Sequence, residues 1–175
     1  GAYRAALLSD DTNSGAERIR LLMSAADTGH IQANALLGEY YATGRYVSAD
    51  TSVAVTYFDR AAQSGDLGAR NNLAWILATY PDELIRDGNR AVALMTPLVS
   101  LYDNWQHLDT LAAALAETGD FAAAARTQQR AIDNLSSAAP GQIDSEVYRN
   151  MQERLRRYED NEPFREYGST PSNED

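Results

Sequence analysis

Along most of this chain, apolar residues recur at the i, i+3, i+4, i+7 spacing of one helix face, in segments divided by short polar turns. Ala2 to Ser9 is a short helical segment. Ile19, Leu22, Met23 and Ala26 predict a helix from about 16 to 28, capped by Asn13 or Ser14 and closed by Gly29 in the left-handed conformation. Ala33, Leu37, Tyr40 and Tyr41 mark a helix over 31–43 that Gly44 stops. Asp50 caps the next, over 51–64, with Val53, Ala54, Tyr57, Phe58 and Ala61 turned inward and Gly65 at its end. A helix over 67–79 carries Leu73, Trp75, Ile76 and Leu77. Tyr80 to Gly88 is a longer connection with room for one helical turn.

The second half repeats the theme with one interruption. The pattern over 89–101 is helical, but Pro97 has no N–H for the Ala93 carbonyl and its ring crowds that carbonyl, which predicts a kink or a break. Asn104 or Asp103 caps a helix to about 118, and Gly119-Asp120 turns the chain into a partner helix over 121–135. Ser136 to Gly141 is a small-residue linker. Asp144 caps a last helix to about 158, with Val147, Met151, Leu155 and Tyr158 as its stripe and Glu153 four residues before Arg157 as an ion pair. Residues 163–175 read as a polar, weakly structured tail.

The segments are copies. Ala25-Ala26-Asp27-Thr28-Gly29 returns as Ala61-Ala62-Gln63-Ser64-Gly65, and Ala33 to Gly38 returns as Ala69 to Ala74. A weaker third copy places Leu111-Ala112 where Leu73-Ala74 stood. A period in the range of about 20–50 residues is the mark of stacked supersecondary units that share one continuous core.

Ala33, Leu37-Gly38, Tyr41, Gly44, Val47, Asp50, Ala54, Tyr57, Ala61-Ala62 and Gly65 together resemble one unit of a Sel1-like repeat, a variant of the tetratricopeptide repeat. Ala16 to Gly29 is similar to the second half of an earlier unit, and Leu108, Leu111-Ala112, Gly119, Phe121, Ala124 and Ala131 drift toward the tetratricopeptide form, so the likeness covers about residues 16–135. Asn72 to Trp75 with Arg86 to Gly88, and Leu108 to Ala114, are similar to a common bacterial repeat module. Ala74 and Ala112 depart from it by replacing the repeat's glycine. The resemblance implies an all-α fold: a right-handed α-solenoid of antiparallel helix pairs with a C-terminal capping helix. It implies one helical-repeat domain over 1–160 (a partial repeat 1–28, repeats 30–65, 67–101 and 104–135, and the cap 142–160) and a polar tail over 161–175.

Composition narrows the function. The net charge of −10 and pI near 4.6 argue against nucleic acid and anionic membranes, which want a basic face. All 15 basic residues are Arg, a sign of a GC-rich source, and they are scattered rather than clustered. The lack of Cys removes disulfides, thiolate nucleophiles and cysteine metal sites, and suits a periplasmic protein as well as a cytoplasmic one. Gly1 in place of Met reads as a processing or cloning scar, and with the missing Cys it tips the preference slightly to the periplasm or cell envelope. No apolar run reaches the roughly 18 residues of a membrane span. His30 and His107 lie far apart, at helix starts, outside any H-E-x-x-H pattern, and no phosphate or nucleophile-elbow motif occurs. The acidic pairs Asp10-Asp11, Asp82-Glu83 and Glu159-Asp160 sit at loops and helix ends, as solvated or capping groups do. No catalytic, cofactor or metal residue is assigned.

Surface remains. In tetratricopeptide arrays the first helix of each hairpin lines the concave face, and by that resemblance Ala35, Glu39, Asn71, Trp75, Asp109 and Ala113 point there, with Gln32 and Gln106 one turn earlier. The resemblance thus implies a non-enzymatic scaffold that binds a protein or peptide, of basic or neutral character, through Gln32, Glu39, Asn71, Trp75 and Asp109. Trp75 either anchors a ligand's apolar side chain or packs into the 80–88 connection or the Pro97 kink. The alternative is a structural subunit of an oligomer or envelope assembly that docks, with itself or others, by its helical ends.

Overall fold

The computed structural model describes residues 1–8, 15–138 and 144–166. Among the described residues there are nine helices: α1 Ala2–Leu8, α2 Gly15–Asp27, α3 Ile31–Thr43, α4 Thr51–Gln63, α5 Leu67–Thr79, α6 Gly88–Leu101, α7 Trp105–Glu117, α8 Phe121–Ala138 and α9 Ser145–Glu159. No described helix is long and apolar enough to cross a membrane.

The punctuation works as its chemistry dictates. Gly29, Gly44 and Gly65 take positive φ at the ends of α2, α3 and α4. Asp50, Asn104 and Asp144 accept hydrogen bonds from the backbone N–H groups of Val53 (3.0 Å), His107 (2.9 Å) and Glu146 (2.8 Å), each satisfying a donor that the helix start leaves free. Asn13 and Ser14, expected to cap α2, lie outside the described residues.

Three expectations are corrected. α6 runs unbroken through Pro97: Ala93 and Pro97 are both exposed, so the carbonyl that the proline cannot serve lies on the solvent side. The 80–87 connection forms a turn over 83–85 and no helix; Arg86 spends its donors on the carbonyls of Tyr80 (2.9 Å) and Pro81 (2.6 Å). Glu153 pairs with Arg156 one turn on, not with Arg157, which reaches Glu162 at 3.4 Å instead.

The chain divides into two compact units, Gly1–Leu73 and Ala74–Asp175, with the boundary inside α5. In the first unit α1 packs on α2, α2 on α3 and α3 on α4, around Leu22, Leu37, Tyr40 and the alanines 25, 26 and 33. The repeat's small residues set the spacing. A Cβ on Gly38 would lie 2.6 Å from the Phe58 ring, so only glycine admits that approach of α3 to α4. Tyr41 and Tyr57 stack across the same pair with centroids 5.8 Å apart.

In the second unit α6, α7, α8 and α9 pack in succession. One core cluster gathers Val99, Leu108, Ile132, Leu135 and Met151. Another gathers Ala112, Ala116, Ala124 and Tyr158, against which Phe121 and Phe164 pack. The last helix is therefore part of the core, and Phe164 beyond it packs against that core, partly buried.

Candidate functional site

Gln32 and Glu39 are exposed on α3. Asn71 is half-buried on α5, and its side-chain oxygen accepts no hydrogen bond. Trp75 is half-buried further along α5. Asp109 on α7 is buried, only 7% exposed. The structure brings Trp75 and Asp109 into one constellation in the second unit, while Gln32, Glu39 and Asn71 belong to the first.

That constellation is built in layers. Asp109 projects from α7 into the space between α8 and α9. There it meets the Arg154 guanidinium in a two-pronged bond, Nε to Oδ1 at 2.9 Å and Nη2 to Oδ2 at 2.8 Å, while Gln128 of α8 donates to Oδ1 at 2.7 Å. A buried carboxylate needs such partners, since desolvation otherwise costs several kcal/mol. The pairing holds the planar Arg154 guanidinium in place, 5.5 Å from the centroid of the Trp75 ring and 5.4 Å from that of Phe164. Cation–ring contacts of this kind are worth about 0.5–2 kcal/mol. Trp75 and Phe164 also meet directly, centroids 5.9 Å apart.

Phe164 arrives from beyond α9. Asn161, with φ of 60°, turns the chain back at the helix end, and residues 162–166 then run without regular secondary structure over this face. Arg157 of α9 holds Glu162 and Pro163, and four contacts hold residues 164–166 on the face. Phe164 packs on Trp75 and the Tyr158 cluster. Arg165 brings Nη2 to 2.6 Å from Glu117 Oε2. The backbone N–H of Glu166 donates to the Thr79 carbonyl at 3.0 Å, and the Trp75 indole N–H donates to the Glu166 carboxylate at 2.5 Å. Glu117 is shared, because its other oxygen accepts from Arg86 Nε at 2.9 Å. The sequence reading of 163–175 as a weakly structured tail missed this; residues 167–175 lie outside the described residues.

The fit is incomplete. The Tyr158 hydroxyl, on a residue 1% exposed, has no hydrogen-bond partner, and burial, then the nearby Asp109 charge, push its pKa well above the usual phenol range. Arg165 and Glu117 Oε2 are close enough for ion pairing but not aligned as a hydrogen bond.

Elsewhere the chemistry is sparse. His30 caps α3, accepting from the Ala33 N–H at 3.4 Å, and stacks on Tyr3. His107 lies in the first turn of α7, beside Asn104 and the Tyr102 carbonyl. Among the described residues no group of three His, Asp or Glu side chains is placed to hold a metal ion. An open cleft of about 770 Å³ runs along α2 beside Tyr46 and Val47, lined mainly by apolar surface including Ile19 and Met23.

No protein-family model matches the chain, and no curated protein does. Among solved structures the chain is similar to a Sel1 repeat protein from Oxalobacter formigenes, with a TM-score of 0.54 and 21% identity, over 89% of this chain and 71% of that one. The expected fold is thus met: an all-α helical-repeat fold of the α-solenoid class, of the Sel1 kind.

Proposed function

We propose that this chain is a non-enzymatic protein-interaction module that grips an extended peptide, or an extended segment of a protein, on the first helices of its repeats. Within the first unit taken by itself the contact residues are Gln32, Glu39 and Asn71; within the second it is Trp75, and Asp109 serves there by holding Arg154 rather than by touching the ligand. One observation carries this reading: an irregular segment of the chain, residues 162–166, already lies on the Trp75 face. On that face residues 164–166 make one backbone hydrogen bond, one indole hydrogen bond and one ion pair, which are the contacts a peptide ligand makes. The reading without catalysis rests on where the polar groups are spent, since Asp109, Arg154 and Glu117 are all committed to structural bonds. The net charge of −10 favours a ligand of basic or neutral character.

The test is a random-peptide display selection against the whole chain, repeated with Trp75→Ala after its helix content has been checked by circular dichroism. Peptides that bind the wild type and are lost by the folded variant support the reading; a selection that recovers no specific peptide sinks it. The second reading, docking by helical ends, draws on Leu101 and Tyr102, exposed by 75% and 50% at the C-terminal end of α6. Self-association that Leu101→Asp abolishes, seen by light scattering, would support it.

A further inference from the structure

We propose that the face built by Trp75, Arg154, Glu117 and the Thr79 carbonyl selects an extended peptide carrying an aromatic residue, then arginine, then an acidic residue, and that residues 164–166 are a resident occupant which such a peptide displaces. The inference rests on the interaction-module reading and names its ligand.

Each position of the occupant meets a group of matching chemistry. Phe164 lies against the Trp75 ring with the Arg154 guanidinium carbon 5.4 Å from its own ring centroid, a slot that favours a planar ring. Arg165 meets Glu117, whose side chain is only 15% exposed, so a neutral or acidic residue there would leave a poorly solvated carboxylate without its second cation. Glu166 supplies both a backbone N–H for Thr79 and a carboxylate for the Trp75 indole. The receptor half is held by bonds that do not involve the occupant: Asp109 and Gln128 hold Arg154 in register, and Arg86 braces Glu117.

The resident occupant is also a weak one. Its arginine meets Glu117 without hydrogen-bond alignment, and the Tyr158 hydroxyl in the cluster on which Phe164 rests is unpaired. A partner with the same aromatic–arginine–acid order that aligns its arginine on Glu117 therefore competes with the chain's own segment.

The test uses the full chain and a fluorescein-labelled, amidated peptide Asn-Glu-Pro-Phe-Arg-Glu, read by fluorescence anisotropy. The double variant Phe164→Ala, Arg165→Ala loosens the occupant, and its helix content is checked first. If it has lost its helices, Arg165→Ala alone, which keeps Phe164 in place, serves instead. The peptide is expected to bind the variant saturably and about tenfold or more tighter than the wild type, and to lose about tenfold when its Phe or its Arg is replaced by Ala. Absence of saturable binding to the folded variant, or equal affinity for variant and wild type, overturns the proposal. Peptides selected by display in a Trp75-dependent way, alongside a resident-sequence peptide that does not bind, would sink this inference and leave the interaction module standing. Failure of both would remove both.

Discussion

The two units use the same kind of helix pair but are held together by different means. In Gly1–Leu73 the contacts that set the geometry are apolar and small: Gly38 against Phe58, Tyr41 on Tyr57, alanines between helices. In Ala74–Asp175 an ionic clamp, Asp109 with Arg154 and Gln128, locks the last helix against its neighbours, and a segment beyond that helix is tied down by further polar bonds. An apolar seam tolerates local adjustment. A buried ion pair does not, because losing either partner strands the other away from water. The first unit therefore reads as repeat architecture alone, and the second as repeat architecture modified around one surface.

The largest effect that would break this contrast comes from the clamp. Asp109→Ala is expected to destabilise the second unit by about 3–5 kcal/mol, as a buried Arg154 without its carboxylate requires. Urea denaturation followed by tryptophan emission checks it, since Trp75 and Trp105 both belong to that unit. A loss well under 1 kcal/mol would mean that Arg154 escapes to solvent and that the clamp is incidental. The comparable lesion in the first unit is Gly38→Ala, which drives a methyl group to 2.6 Å from the Phe58 ring, on a residue 3% exposed. Overpacking of this kind costs about 1–3 kcal/mol, and Phe58→Leu in the same chain should recover part of it in a thermal melt.

These two lesions also mark what the sequence could and could not reveal. The repeat phrases placed Gly38, Tyr41 and Tyr57 correctly because they obey a local period, and the helix bounds followed from caps and glycines acting over three or four residues. The clamp was half visible. Arg154 falls between Met151 and Tyr158 on the buried stripe of α9, and a charged residue in an apolar register is a signal that it has a buried partner. Which partner was not legible: Asp109 precedes it by 45 positions and was read only as a groove residue. Residues 162–166 were illegible for the same reason. They carry no period, and Glu166 meets Trp75 across 91 positions. Pro97 misled because the cost of an unserved carbonyl depends on whether it faces water, and spacing does not report that.

Smaller effects sharpen the picture. Phe164→Ala removes the segment's ring contact while leaving the clamp in place. It should change global stability little but speed hydrogen exchange at the Glu166 amide, which donates to Thr79. Unchanged exchange there would show that the backbone bond holds without the ring. At the bottom of the scale, Arg156→Ala and Arg154→Ala make a matched pair on one helix. The Arg156 side chain is 65% exposed and pairs with a half-exposed Glu153, so its loss should leave the melting temperature unmoved; Arg154, at 11%, should behave like Asp109. Equal effects of the two would erase the distinction between the clamp and an ordinary surface pair.

The turn at Asn161 has a consequence for how the second unit responds to its surroundings. It sets Phe164 only a few residues from the end of α9, so the segment meets its face at a local concentration on the order of millimolar, whatever the amount of protein in solution. Dilution cannot open the surface, and crowding cannot close it further. What competes for the face is set against that built-in figure, so occupancy by anything else has a threshold fixed by the length of a tether.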